Sequence, residues 1–110
     1  DKLGSAIESF EEMRWADSIY HTYASLVNGA KAILLSENVK TNTQANIIAE
    51  FDETFKDNST LSVAGSFADL VYQIKNNEPS KEFAESYLSD ANAFFERADL
   101  FRKNQLAHAN

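Results

Sequence analysis

Between Ile19 and Leu34 the chain places Ile19, Tyr20, Tyr23, Leu26, Val27, Ala30, Ile33 and Leu34 at a recurring apolar spacing. Steps of three and four line one face of an α-helix, whereas a half-buried strand alternates every second residue. The stretch predicts a central helix with a wide apolar face. Similar spacings recur along the chain, and only three glycines and one proline interrupt its 110 residues, so helix is favoured throughout and no credible strand is read. An all-α fold is expected. Residues 1–110 are read as a single domain, and a chain of this size removes roughly 65% of its unfolded surface from water on folding.

Hydrophobic residues make up 44% of the chain, with eight Phe, four Tyr and one Trp, which excludes the low hydrophobicity of a disordered segment. The net charge is −7 and no Lys/Arg run exceeds two neighbours. The attraction to phosphate that nucleic-acid binding needs is therefore weak, and so is attraction to an anionic membrane surface. No cysteine is present, which removes disulfides, thiolate metal sites and iron–sulfur ligation. The longest apolar run, Ala32 to Leu35, is far short of the roughly 20 residues that span a bilayer. The sequence starts at Asp1 and lacks the charged-then-apolar pattern of a signal peptide. It is read as a piece cut from a longer cytoplasmic protein, whose missing part has room for the activity.

Local signals divide the chain into helices. Ser5 and Glu8 have the spacing of a capping box, so a first helix is expected to begin there with Ala6, Ile7, Phe10 and Met13 as its buried stripe. A short break is expected at Arg14-Trp15 before the central helix. Gly29 lies inside that helix at a cost of about 1 kcal/mol against Ala, which close approach of another helix would explain. Thr41 and Gln44 suggest a second capping box, opening a third helix with Ala45, Ile47, Ile48, Phe51 and Phe55 inside. A shorter fourth helix buries Val63, Phe67, Leu70, Val71 and Ile74. Pro79 suits the first turn of a last helix running from about Ser80 to Asn104, with Phe83, Tyr87, Leu88, Ala91, Phe94, Phe95, Ala98, Leu100 and Phe101 as its apolar positions. The expected architecture is an up-and-down bundle of four to five helices.

The stretch "YASLVNGAKAILL", Tyr23 to Leu35, resembles the central helix of HEPN domains, small helical modules named for nucleotide binding in higher eukaryotes and prokaryotes. Tyr23, Ala30, Lys31, Ala32, Leu34 and Leu35 match the family's pattern. "TNTQANIIAEFDETF" and "EPSKEFAESYLSDANAFFERA" resemble its later helices in order and spacing, so the likeness covers nearly the whole chain. Ala24 stands where the pattern has a second Tyr, Asn28 where it has His, and the Arg expected in the fourth helix is missing. The resemblance implies an HEPN-like scaffold with much of its site chemistry removed.

Catalytic members of that family are metal-independent ribonucleases in which an Arg holds phosphate and a His moves a proton, roles suited to a bidentate guanidinium and to an imidazole titrating near neutrality. Arg14 precedes His21 with six residues between, and Arg102 precedes His108 with five. Asp17 and His21, four apart, read either as a carboxylate orienting a base or as a helix-surface ion pair. The bland reading is favoured, because no nucleophile or second His accompanies them. Tyr20 and Tyr23 read as packing residues with exposed hydroxyls. Trp15 either packs at a helix junction or anchors a partner surface.

The order "LGSAIESFEEMRWADSIYHTY", "GAKAILLSENV", "FDETF" and "NEPSKEFAESYLSDA" is similar to the C-terminal HEPN-type extension of bacterial nitrite/sulfite reductases. That resemblance implies a parent carrying sirohaem and a four-iron cluster upstream, held by cysteines this chain lacks. Its own role would be accessory: docking on the parent's catalytic domains, pairing with a second copy, or binding a small ligand. No metal ligand or catalytic residue is assigned to it. Arg14, Asp17, His21, Tyr23, Arg102 and His108 are the candidate ligand or phosphate contacts. The alternative is a degenerate HEPN ribonuclease or nucleotide-binding domain.

Overall fold

The computed structural model describes residues 2–61 and 66–107, and among them every regular element is helical. Helix α1 (Lys2–Glu11) and helix α2 (Trp15–Ser36) are separated by a turn at Glu12, Met13 and Arg14. Met13 takes a left-handed φ of 61°. Its N–H bonds to Phe10 O at 3.0 Å, and that of Arg14 to Ser9 O at 2.9 Å. This is the Schellman pattern, usually built on glycine. The expected break is present, but it turns Met13 into solvent, 72% exposed, instead of into the buried stripe. Ile7 is exposed as well. Because α1 already begins at Lys2, Ser5 lies inside it and does not cap it.

The same device ends α2. Asn38, a residue that tolerates left-handed backbone, has a φ of 64°, with Asn38 N bonded to Leu35 O and Val39 N to Leu34 O. Val39 then packs against the core. Helix α3 (Gln44–Phe55) is capped by Thr43, whose side chain accepts from Asn46 N at 3.2 Å. The cap thus falls two residues beyond the expected Thr41, and Gln44 is left free for another partner.

Helices α4 (Phe67–Val71) and α5 (Gln73–Asn76) replace the single expected fourth helix, interrupted at Tyr72. Val63 lies outside the described residues. Helix α6 (Lys81–Ala107) starts after Ser80, whose Oγ accepts from Phe83 N at 3.1 Å. Pro79 therefore precedes the cap and is not in the first turn.

Contact partners give the direction of each helix. Ser18 Oγ donates to Ala6 O at 2.8 Å across the antiparallel α1/α2 pair. Along α2 and α6 the partners advance together, Gly29 against Phe95 and Ser36 against Gln105. Along α3 and α6 they do the same, Phe51 with Phe94 and Phe55 with Phe101. Helices α2, α3 and α6 therefore run parallel, and residues 37–43 carry the chain back between the first two. That step departs from an up-and-down bundle. The α4–α5 segment runs opposite to α6, with Phe67 on Phe94 and Val71 bonded to Tyr87. At 1.5 Å per residue the 27 residues of α6 span most of the 46 Å long axis.

Two kinds of packing hold the helices. Phe51, Phe55, Phe67, Phe94 and Phe101 form a continuous ring cluster joining α3, α4 and α6. Several of the buried residues on α1 and α2 are small: Ala6 and Ser9 on α1, and Ser18, Thr22 and Ser25 on α2. Thr22 and Ser25 donate their hydroxyls to the carbonyls of Ser18 and Thr22, so the close approach leaves neither unsatisfied. Of the other expected core positions, Tyr20, Ala45 and Leu100 are exposed. No helix among the described residues is long and apolar enough to cross a membrane.

Gly29 answers to the expected close approach. A Cβ there would lie 2.6 Å from Phe95 Cε1 and 3.1 Å from its Cζ, so the ring must shift to admit alanine. Gly29→Ala should lower the thermal midpoint despite the helix-propensity gain of about 1 kcal/mol. In a Phe95→Ala background the same change should raise it. A gain in both backgrounds would show that Phe95 does not set the choice of glycine.

Candidate functional site

Arg14, Asp17, His21 and Tyr23 lie at the start of α2. Arg14 is the residue before the helix, and its guanidinium is already engaged: Nη1 donates to Asp17 Oδ2 at 3.1 Å and Nη2 to Glu12 Oε1 at 3.5 Å. All three side chains are about half exposed, where such pairs contribute little to stability. Asp17 is thus paired with Arg14 and has no bond to His21. The imidazole of His21 instead lies edge-on to Tyr20, with ring centroids 5.9 Å apart, and its Nδ1 is buried without a hydrogen-bond partner.

Arg102 belongs to the other end of the molecule. It donates to Gln105 Oε1 at 3.3 Å, and Gln105 Nε2 in turn donates to Ser36 Oγ at 3.0 Å. Ser36 is fifteen residues along α2 from His21, roughly 22 Å at helical rise. His108 lies outside the described residues. Among the described candidates Arg102 is therefore remote from Arg14 and His21, which share the start of α2. Trp15 is half-buried at the α1/α2 junction, edge-on to Phe10 at 5.1 Å and packed against the core. Its place is the helix junction.

What the sequence reading did not bring together is the tyrosines. Tyr23 OH donates to Gln44 Oε1 at 2.9 Å, and burial, with Tyr72 and Tyr20 nearby, pushes its hydroxyl above the usual range. Tyr87 donates to Val71 O at 2.7 Å, and burial, with Tyr23 and Asp90 nearby, pushes it up strongly. All four tyrosines of the chain thus gather at one end of the bundle, from α2, the α4/α5 turn and α6. Lys75 Nζ lies 4.0 Å over the Tyr72 ring. The raised pKa values of Tyr23 and Tyr87 make these two hydroxyls hydrogen-bond donors at neutral pH, not phenolate nucleophiles.

A second feature lies between the α4–α5 segment and α6, a cleft of about 360 Å³, within the size range of small-ligand pockets. Phe94 and Leu70 form part of its apolar lining, and Asp69, Gln73, Asp90 and Arg97 supply the polar groups. Asp90, Phe94 and Arg97 follow at steps of four and three, which puts them on one face of α6. Asp90 Oδ2 accepts from Gln73 Nε2 at 3.1 Å, and the same amide donates to Leu70 O at 3.0 Å. Arg97 is half-buried, and among the described residues its guanidinium has no hydrogen bond or ion pair. The signal for this group was present in the sequence as an Asp and an Arg seven apart on the last helix.

No group of three or more His, Asp or Glu side chains among the described residues is placed to hold a metal ion. No family model matches the chain, and neither the curated proteins nor the solved structures contain a significant match.

Proposed function

We propose that this chain is a non-catalytic accessory module, HEPN-like in descent and similar to the C-terminal extension of bacterial nitrite/sulfite reductases. It serves to dock on the catalytic domains of a parent protein, to pair with a second copy, or to bind a small ligand. The observation that supports this reading is how the phosphate-handling candidates are engaged and spaced. Arg14 is held by two carboxylates, and Arg102 lies toward the Ser36 end of α2, remote from His21. Ribonuclease chemistry needs a guanidinium and an imidazole within reach of one phosphate. Any sirohaem and four-iron cluster would belong to the parent, upstream of this chain.

Incubation of the purified domain with varied single-stranded and structured RNAs tests the reading. No cleavage is expected, and joint substitution of Arg14, His21 and Arg102 by alanine should shift stability by less than about 1 kcal/mol. Cleavage that disappears on His21→Ala or His108→Ala would overturn the reading and establish the degenerate ribonuclease in its place.

A further inference from the structure

We propose that the cleft between α4–α5 and α6 binds a small zwitterion with its two charges at opposite ends of a short apolar chain. The ligand's carboxylate meets Arg97 and its ammonium group meets Asp90. The inference deepens the reading of a non-catalytic module and rests on it in one respect, that the ligand is held and not converted.

The arrangement of charge carries the argument. Arg97 and Asp90 line the same cleft, seven residues apart and so on one face of α6, separated by roughly 10 Å of helix axis. That separation keeps them from neutralising each other. Both side chains lean the same way, toward the helix N-terminus, so the gap between their charged ends stays on the order of 10 Å. A half-buried guanidinium without a partner has lost part of its hydration and gained no hydrogen bond in exchange. Asp90 is different, because Gln73 fixes one of its oxygens and leaves the carboxylate oriented. The apolar surface of Phe94 and Leu70 lies within the same lining.

Ligands of a single charge fit poorly. A simple anion drawn to Arg97 enters a cleft that also contains Asp90 and Asp69, two like charges. A simple cation satisfies the carboxylates but leaves the guanidinium unpaired and repelling it. A molecule carrying both signs offers a partner to Arg97 and to Asp90 at once, and its ammonium group offsets the carboxylates that a simple anion meets unaided.

Isothermal titration of the full chain with ε-aminocaproate, n-hexylamine and caproate tests this, with amide chemical shifts locating the site. The expected result is saturable binding of ε-aminocaproate at least about tenfold tighter than either single-ended analogue, with shifts at Gln73 and Phe94. Arg97→Gln should remove the preference over hexylamine, and Asp90→Asn, which keeps an acceptor for Gln73, should remove the preference over caproate. Absence of saturable binding to the folded wild type would overturn the proposal. So would a preference unchanged in both variants, or shifts confined to another face. RNA cleavage would overturn the non-catalytic reading and leave this titration result standing, so the two failures are distinct.

Discussion

Phe51→Ala should destabilise the domain by about 3–5 kcal/mol. The Phe51 ring is 2% exposed, with centroids 4.9 Å from Phe55, 4.6 Å from Phe67 and 5.7 Å from Phe94. It therefore touches aromatic neighbours on its own helix, on α4 and on α6 at once. Truncation leaves a cavity whose walls belong to three elements, and those walls can close only if the helices move together. Beyond the transfer of the ring from water, the three lost tilted ring contacts add to the cost. Domains of this size are stable by only about 5–15 kcal/mol, so the variant should unfold at much lower urea. Phe51→Leu keeps most of the volume and should cost less than half as much. Equal urea midpoints for wild type and Phe51→Ala would show that the ring cluster is not the core.

Phe51 also illustrates which parts of the fold the sequence made legible. The aromatic residues of α3 and α6 recur at helical spacing, and Ile47, Ile48, Phe51, Phe55, Phe83, Tyr87, Phe94 and Phe101 are all buried as that spacing implies. The α1/α2 contact was harder to read. Buried on these two helices are Ser9, Ser18, Thr22 and Ser25, which a search for apolar periodicity passes over because their hydroxyls count as polar. Such hydroxyls are cheap to bury where a carbonyl accepts them, of the preceding turn for Thr22 and Ser25 and of Ala6 on the facing helix for Ser18. The turn at Met13 was equally obscure in its detail. A Schellman turn advertises itself through glycine, and here a methionine bears the left-handed backbone.

Direction was the least legible property. Apolar spacing fixes which face of a helix is buried but not which way its neighbour runs, and the seven residues 37–43 suit either a hairpin or a return strap. The candidate site failed for a related reason. An Arg-to-His interval along one chain says nothing of reach when Arg14 has carboxylates at hand on both sides. Conversely, the tyrosine cluster draws on three separate elements. No local pattern could have announced it, because Tyr72 reaches the others only through the way α4 and α5 fold back along α6.

Tyr87→Phe should lower stability by about 1–3 kcal/mol at neutral pH, although it removes a single oxygen. Tyr87 is fully buried and its hydroxyl donates to Val71 O at 2.7 Å. Val71 is the last residue of α4, where a five-residue helix interrupted at Tyr72 leaves carbonyls short of helical donors. Phenylalanine preserves the ring contacts, including the stack on Phe83 at 5.1 Å, so the loss isolates the buried carbonyl. The same hydroxyl has a pH signature. Burial, with Tyr23 and Asp90 nearby, holds its pKa well above the ordinary value, so the folded state favours the protonated form. The stabilisation is therefore fully present below the unfolded tyrosine pKa of about 10 and declines as pH rises from there toward the folded value. Wild type and Tyr87→Phe should differ most in urea midpoint near pH 8 and converge near pH 11. If the two curves stay parallel across that interval, ionisation of Tyr87 is not what the fold resists. If they converge, a single tyrosine on α6 both anchors α4 and limits the domain at alkaline pH, because donating to Val71 requires the proton that high pH removes.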